Sequence, residues 1–325
     1  MRTTPRRPGG SSLHICASRS GLRSTFWVLL IMPDFYDLRS SGGVAFDPES
    51  HSYTNADGIV YTSVTTLLGQ FRQKFDSDRM SRYKAIQAVL DPDEFSRLKR
   101  NVGGWQHVPD VWDGMTKDPS ASMTQRLIEA RESFLKKWAE AGSTARDGGT
   151  AEHTRREEEV KRRGGMFHNG VWFTFYPGTN ILHCREGPPC RRVLLECLLW
   201  NHELNLSGLS DVLLVDTLTR ATMKTGTIDV LDYKTNGKIS TDSFQDRRMS
   251  PPLVSLPDST FHSYSLQLRI YQRIACELTG LLPGSAAIVR TRDDERGRPE
   301  EMISCPRLED ELDRLWKWRA DGFKT

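Results

Sequence analysis

Asp232, Tyr233 and Lys234 end the apolar run Ile228-Asp229-Val230-Leu231. Such a run reads as a strand, and a strand turns alternate side chains to one face. Asp232 and Lys234 therefore point together, with Tyr233 opposite. A carboxylate beside an ammonium suits phosphate chemistry: the acid binds a divalent cation, and the amine orients water or offsets charge on the transition state. Taken alone, the triplet reads equally as a surface ion pair. Asp211 follows Leu206-Ser207-Gly208-Leu209-Ser210, a glycine-containing bend, and precedes the strand-like Val212-Leu213-Leu214-Val215. If that strand pairs with 228–233, two aspartates converge on one ion, and such hard oxygen ligands select Mg²⁺ or Mn²⁺. By itself Asp211 also fits a turn residue capping its own backbone.

A third ligand type lies upstream. Gly148-Gly149 breaks the chain, Thr150 opens a helix, and His153 sits in its first turns with Glu157 on the same face. A lone helical histidine is usually a surface or core residue, but here it completes an Asp/Asp/His set. Downstream, Leu266, Ile270, Ile274 and Leu278 mark a helix over 262–279. Gln267 and Tyr271 share one face of it and are close enough in sequence to support the lysine or a substrate phosphate.

The order of these residues is more specific than any one of them. Gly149/His153, Gly208/Asp211, Asp232/Lys234/Thr235 and Gln267/Tyr271 resemble the motif series of the RecB-like branch of PD-(D/E)xK nucleases, over residues 148–275. Val64 in Ser63-Val64-Thr65, with Trp316 and Trp318, is similar to the mitochondrial genome-maintenance and phage exonuclease subgroup. The resemblance implies an α/β fold: a restriction-endonuclease-like central mixed sheet flanked by helices, with a helical N-terminal portion. It implies that His153, Asp211, Asp232 and the Tyr233 carbonyl hold Mg²⁺ or Mn²⁺. Lys234 is then the catalytic lysine, supported by Gln267 and Tyr271. Glu196 and Glu203 precede Asp211 as acidic residues often do in that family. The implied activity is a metal-dependent deoxyribonuclease, an exonuclease rather than an endonuclease. It acts on single-stranded DNA or DNA with free ends, in repair, replication or recombination. A catalytically inactive nucleic-acid-binding module on the same fold is the alternative, although no metal ligand is lost.

Two departures stand out. Twenty residues separate Asp211 from Asp232, including the polar stretch Thr217–Thr227, which suggests a long hairpin. Cys184, Cys190 and Cys197 lie between His153 and Asp211, unlike the iron–sulfur pattern of some RecB-like nucleases, so no iron–sulfur cluster is expected.

The elements that must position these groups follow the hydrophobic pattern. Two short strands flank the turn Asn55-Ala56-Asp57-Gly58, and Ser63 caps a helix. Residues 79–101 and 122–141 are helical, interrupted at Asp91-Pro92-Asp93 and Asp118-Pro119-Ser120. Strands are expected over 171–176, 193–200, 204–209, 211–216, 228–233 and 286–289, and a terminal helix over 308–320. The expected organisation is a leader (1–42), N-terminal strands and helices (43–141) and a nuclease core (142–325).

Composition limits the alternatives. Hydrophobic residues make up 37% of the 325 and charged residues 27%, a globular balance. No run approaches the ~20 apolar residues of a membrane span. Net charge is +3, so clustering decides any contact with nucleic acid. Arg155, Arg156, Lys161, Arg162 and Arg163, and Arg247 with Arg248, are candidates to track a phosphate backbone, and Tyr264 or Trp172 to stack on bases. Residues 1–33 hold five arginines and no acid, which suits a mitochondrial transit peptide. Two readings stand beside it: a disordered tail, or translation from Met32 with a nuclear or cytoplasmic product.

Overall fold

The computed structural model describes residues 43–178, 181, 189–218, 226–235, 237–291 and 300–322. The leader, Cys184 and most of 217–227 lie outside them. Three short strands open the chain as an antiparallel meander: β1 (Val44–Asp47), β2 (Ser52–Asn55) and β3 (Val60–Ser63). The expected turn joins the last two, with Asn55 Oδ1 accepting from the amides of Asp57 and Ile59. Helix α1 (Val64–Gly69) starts where Ser63 Oγ accepts from Thr66 N at 3.0 Å, as the sequence suggests.

A helical portion follows. Helix α2 (Ser77–Val89) stops before Asp91, which caps α3 (Pro92–Asn101) with Pro92 in its first turn. A 3₁₀ segment (Trp105–Val111) leads into α4 (Trp112–Met115). Ala85, Ile86, Phe95, Val108, Trp112 and Leu127 make a small core of their own.

The expected break at Gly148-Gly149 does not occur. Helix α5 runs unbroken for 42 residues, Ser122–Arg163, and the expected boundary at 141/142 falls inside it. Its three interior glycines, Gly142, Gly148 and Gly149, cost about 1 kcal/mol each against alanine. Opposing that cost are pairs at helical spacing, Glu152 with Arg155 and Arg156, Glu157 with Lys161, and Glu159 with Arg163, each worth a few tenths of a kcal/mol. The helix is also anchored at both ends, by Leu127 in the helical core and Val160 in the sheet core. It ends at Gly164 in the left-handed region.

The centre is a mixed sheet of ten strands among the described residues. Strands β4 (Gly165–His168), β5 (Val171–Phe175), β6 (Arg191–Asn201), β7 (Leu206–Asp216) and β8 (Thr227–Lys234) precede helix α6 (Thr260–Thr279). Strands β9 (Leu282–Arg290) and β10 (Glu301–Ser304) and helix α7 (Glu309–Gly322) complete the chain. The expected runs 204–209 and 211–216 are one strand, with Gly208 inside it rather than at a bend. A side chain there would put its Cβ 2.7 Å from Tyr271 Cε1, so the missing Cβ makes room for that ring.

One edge of β7 pairs with β6 along its length. The other is divided: β3 runs parallel to Leu206 and Ser207, and β8 antiparallel to Val212–Asp216. Residues 208–211 lie between the two pairings. Strand β8 then pairs parallel with β9 and β9 antiparallel with β10. Leu213, Val215, Ile228 and Val230 meet Leu266, Ile270 and Ile274 of α6 on one face. Val193, Val212, Leu214 and Leu231 meet Val160 of α5 on the other. Helices therefore cover both faces.

Helix α6 is locked by Arg269, which the sequence alone does not single out. Its buried guanidinium donates to the carbonyls of Pro306 (2.8 Å), Cys305 (2.7 Å) and Gly284 (3.3 Å) and to Gln272 Oε1 (2.6 Å). Gln272 in turn donates to Ile228 O at 2.7 Å. Through these bonds the helix carrying Tyr264, Gln267 and Tyr271 is held against β8 and β9.

Candidate metal centre

Strand register brings three acids into line. Leu195 pairs with Val212, and Val212 with Leu231. One step further, the same register sets Glu196, Asp211 and Asp232 side by side on β6, β7 and β8. At this row the ladders loosen. Glu196 takes φ 46°, a left-handed conformation that costs a non-glycine residue roughly 1–2 kcal/mol. It also switches the strand's facing: Leu194 before it and Cys197 and Leu199 after it enter the same core. On the other flank the β7–β8 pairing ends at Val212/Leu231, and the Asp211 carboxylate takes over, Oδ2 accepting from Tyr233 N at 2.9 Å.

His153 reaches this opening from α5. Its Nε2 lies 2.9 Å from the Tyr233 carbonyl, which can only accept, so Nε2 carries the proton. Nδ1, on the other side of the ring, lies 3.5 Å from Asp211 Oδ2. Ligand atoms of His153, Glu196 and Asp211 lie within 4.8 Å of one another.

The electrostatics agree. Burial first, and then the neighbouring Asp232 charge, push the Asp211 carboxyl up to about 7. Burial, then Asp211 and Glu157, push Glu196 up to about 9. Carboxylates so crowded are costly as anions until a cation joins them. Hard oxygens with one imidazole fit Mg²⁺ or Mn²⁺.

Asp232 stands beside this trio rather than in it. Its side chain is 2% exposed, and neither oxygen accepts a well-aligned hydrogen bond, although Lys234 Nζ is 2.5 Å from Oδ2. Burial works to lower the lysine, but the Asp232 and Asp211 charges outweigh it and hold the ammonium above its ordinary value. Lys234 also lies 4.9 Å from the Tyr264 ring centroid. Tyr271 is buried against Gly208, and Gln267 Nε2 approaches its hydroxyl at 3.4 Å. Gly149 lies near Thr235 Oγ1, so the helix approaches the end of β8 without a side chain between.

The set assembled in space thus differs from the four groups expected at Glu196, at Asp232 and at the Tyr233 carbonyl. Glu196 enters, and Asp232 is engaged by Lys234. The Tyr233 carbonyl is where expected but accepts from His153. The signal for Glu196 was its place in a strand antiparallel to β7, which the register makes explicit. Glu203 is exposed in the turn joining β6 to β7, beyond Asn201, which is itself five strand positions or about 17 Å from the row. The basic run on α5 is largely neutralised within the helix: Arg155, Arg156, Lys161 and Arg163 pair with glutamates. Arg248 donates to Ser255 O at 2.6 Å. Trp172 packs edge-on against Phe167. No protein-family model matches the chain, and no curated protein matches it.

The raised carboxyls give a stability prediction. Asp211 and Glu196 hold protons more tightly folded than unfolded, so their contribution is intact below the unfolded carboxylate value near ~4. It is lost as pH rises through about 7 and about 9. Without divalent metal the melting temperature should fall from pH 5 to pH 9. Mn²⁺ should restore it, and more at pH 8 than at pH 5.5, because binding must displace protons. Scanning fluorimetry across that range checks this, and an increment independent of pH would speak against metal at this cluster.

Proposed function

We propose that the chain is a divalent-cation-dependent nuclease that hydrolyses DNA phosphodiesters, on the PD-(D/E)xK core its motif series resembles. The observation that carries this reading is the row Glu196–Asp211–Asp232 opened at a sheet seam, with the His153 imidazole on one side and the Lys234 ammonium on the other. Glu196, Asp211 and His153 would hold the cation, with Asp232 within electrostatic reach. When bound, Mg²⁺ or Mn²⁺ supplies Lewis acidity toward a phosphate oxygen and a water.

The other groups divide the remaining work. The Asp232 and Asp211 charges hold the Lys234 ammonium above its ordinary value, and it acts as a donor that orients water and offsets charge growing on the phosphate. Tyr233 N–H fixes the Asp211 oxygen, and Nε2–H of His153 fixes the imidazole through the Tyr233 carbonyl. Tyr271 and Gln267 hold the wall opposite Gly208. Water is a sufficient nucleophile, and no covalent intermediate is invoked. Exonuclease action is the preferred form, following the resemblance.

The test is cleavage of end-labelled single- and double-stranded DNA with Mg²⁺, Mn²⁺ or EDTA, alongside Lys234→Ala. Metal-dependent degradation lost in EDTA and reduced at least ~10²-fold by Lys234→Ala is the expected result. Folded protein that binds DNA and leaves every substrate intact in both metals would replace this reading with the inactive binding module. Closed circular single strands cut as fast as linear ones would replace exonuclease with endonuclease.

A further inference from the structure

Away from the metal centre, two adjoining cavities of about 610 and 580 Å³ open on the helical portion and share Tyr83 and Trp105 as a common wall. Four aromatic rings cross this wall as a ladder: Phe95–Tyr83 at 5.6 Å, Tyr83–Trp105 at 6.0 Å and Trp105–Phe244 at 5.9 Å. All three contacts are edge-to-face, at 73–87°, so they do not stack the rings flat on one another. The ladder starts in the small helical core at Phe95, 7% exposed, and ends at Phe244, 58% exposed, in the segment after Lys234. Phe75, 65% exposed, closes the other side against Trp138 of α5.

Charge distinguishes these cavities from an ordinary apolar recess. Asp76 and Asp258 are already engaged: Asp76 caps α2, and Asp258 holds Arg72 at 3.0 Å and accepts from Gln73 N. Lys74 and Arg247 at the first cavity and Lys99 and Arg100 at the second form no ion pair with an acid among the described residues. Arg247 lies over the Phe244 ring at 5.1 Å. Uncommitted cations beside partly exposed rings match an unpaired base with its phosphates: the rings take the base, the cations the backbone. A duplex hides its base faces and offers no such match.

We infer that these cavities hold a single-stranded stretch of nucleic acid at a distance from the metal centre. Two cavities in series, with cations at both, take consecutive nucleotides rather than one free nucleotide. Trp138 and His153 are 15 residues apart on one helix, hence about 22 Å. Phe75, on the wall of the first cavity, meets α5 at that remote point. This inference rests on the nucleic-acid reading of the metal centre but not on its chemistry.

The test is fluorescence anisotropy of labelled oligo-dT of 4, 8, 12 and 16 nucleotides on the full chain in EDTA, where cutting is absent. Affinity should rise with length, and a blunt duplex should bind at least tenfold more weakly than the 16-mer. Lys99→Glu with Arg100→Glu, both at exposed positions, should weaken the 16-mer at least tenfold. The pair should also lower the salt slope by about 1.4, from two lost contacts on a single strand. Phe244→Ala should weaken binding with the salt slope unchanged. Variants that bind as the parent does, with the parent's slope, overturn the inference, as does competition by dTMP at equal nucleotide concentration. A chain that shows the expected binding but cuts nothing in Mg²⁺ or Mn²⁺ leaves the inference standing and removes the proposed chemistry. Groove variants that cut long strands with unchanged KM, on an active enzyme, remove the inference alone.

Discussion

Asp211→Asn should lower DNA cleavage at least ~10²–10³-fold while leaving the metal-free protein no less stable than the parent at pH 8. The two effects have one origin. Asp211 is the shared member of the cluster: it faces His153 Nδ1 at 3.5 Å, shares a row with Glu196 and Asp232, and is the acceptor for Tyr233 N. An asparagine with its oxygen in the place of Oδ2 keeps the acceptor for the Tyr233 amide and puts its nitrogen in the place of Oδ1. It loses the negative charge, which in the metal-free chain is opposed by burial and by Asp232. Removing that charge relieves repulsion without metal and removes attraction with it. Initial rates in Mn²⁺ and urea midpoints in EDTA measure the two sides. Retained activity within threefold, or a variant much less stable than the parent, would show that Asp211 is a structural acid. Glu196→Gln makes the same trade from the neighbouring strand.

Arg269→Ala should lower stability by at least ~3 kcal/mol and reduce activity with it. Three backbone carbonyls depend on this guanidinium, two of them at 2.7–2.8 Å. Each buried acceptor left bare costs about 1–3 kcal/mol. Lysine should not rescue, because a single ammonium lacks the fork that reaches Pro306, Cys305 and Gly284 together. Urea unfolding of both variants checks this. Stability within 1 kcal/mol of the parent would mean that water replaces the guanidinium and that α6 is held by its apolar face alone.

What the sequence revealed and what it concealed divide along physical lines. Local signals were readable. Ser63 before an apolar run, Asp91-Pro92 and the period of Leu266, Ile270 and Ile274 each depend on neighbours a few residues away, and the helices start or pack accordingly. The side-by-side placement of Asp232 and Lys234 needed only strand alternation. The break at Gly148-Gly149 was a local inference overridden from afar, because the helix is fixed at Leu127 and Val160. Gly208 misled for the same reason: its role is space for Tyr271, a residue 63 positions later in the chain, not a bend. Glu196 and Glu203 were both legible as acids ahead of Asp211, but only the register tells them apart, setting Glu196 opposite Asp211 and leaving Glu203 in the turn. Arg269 left no periodic signal, since its partners are carbonyls, which every residue has.

Helix α5 imposes one more condition, on insertions and deletions. It is a continuous rod from the helical core at Leu127, past Trp138, to His153 and the sheet core at Val160. Adding or deleting one residue between 139 and 152 would turn everything beyond it by about 100° and shift it by about 1.5 Å. His153 would then leave the Tyr233 carbonyl, or Leu127 its core. Three or four residues would nearly restore the angle but displace the ends by about 5–6 Å. Elsewhere length can drift, as at the exposed turn 48–51 between β1 and β2. Along α5 it cannot, so the number of residues between these two anchors works as a ruler, and related chains should keep it even where they change every side chain on the exposed face.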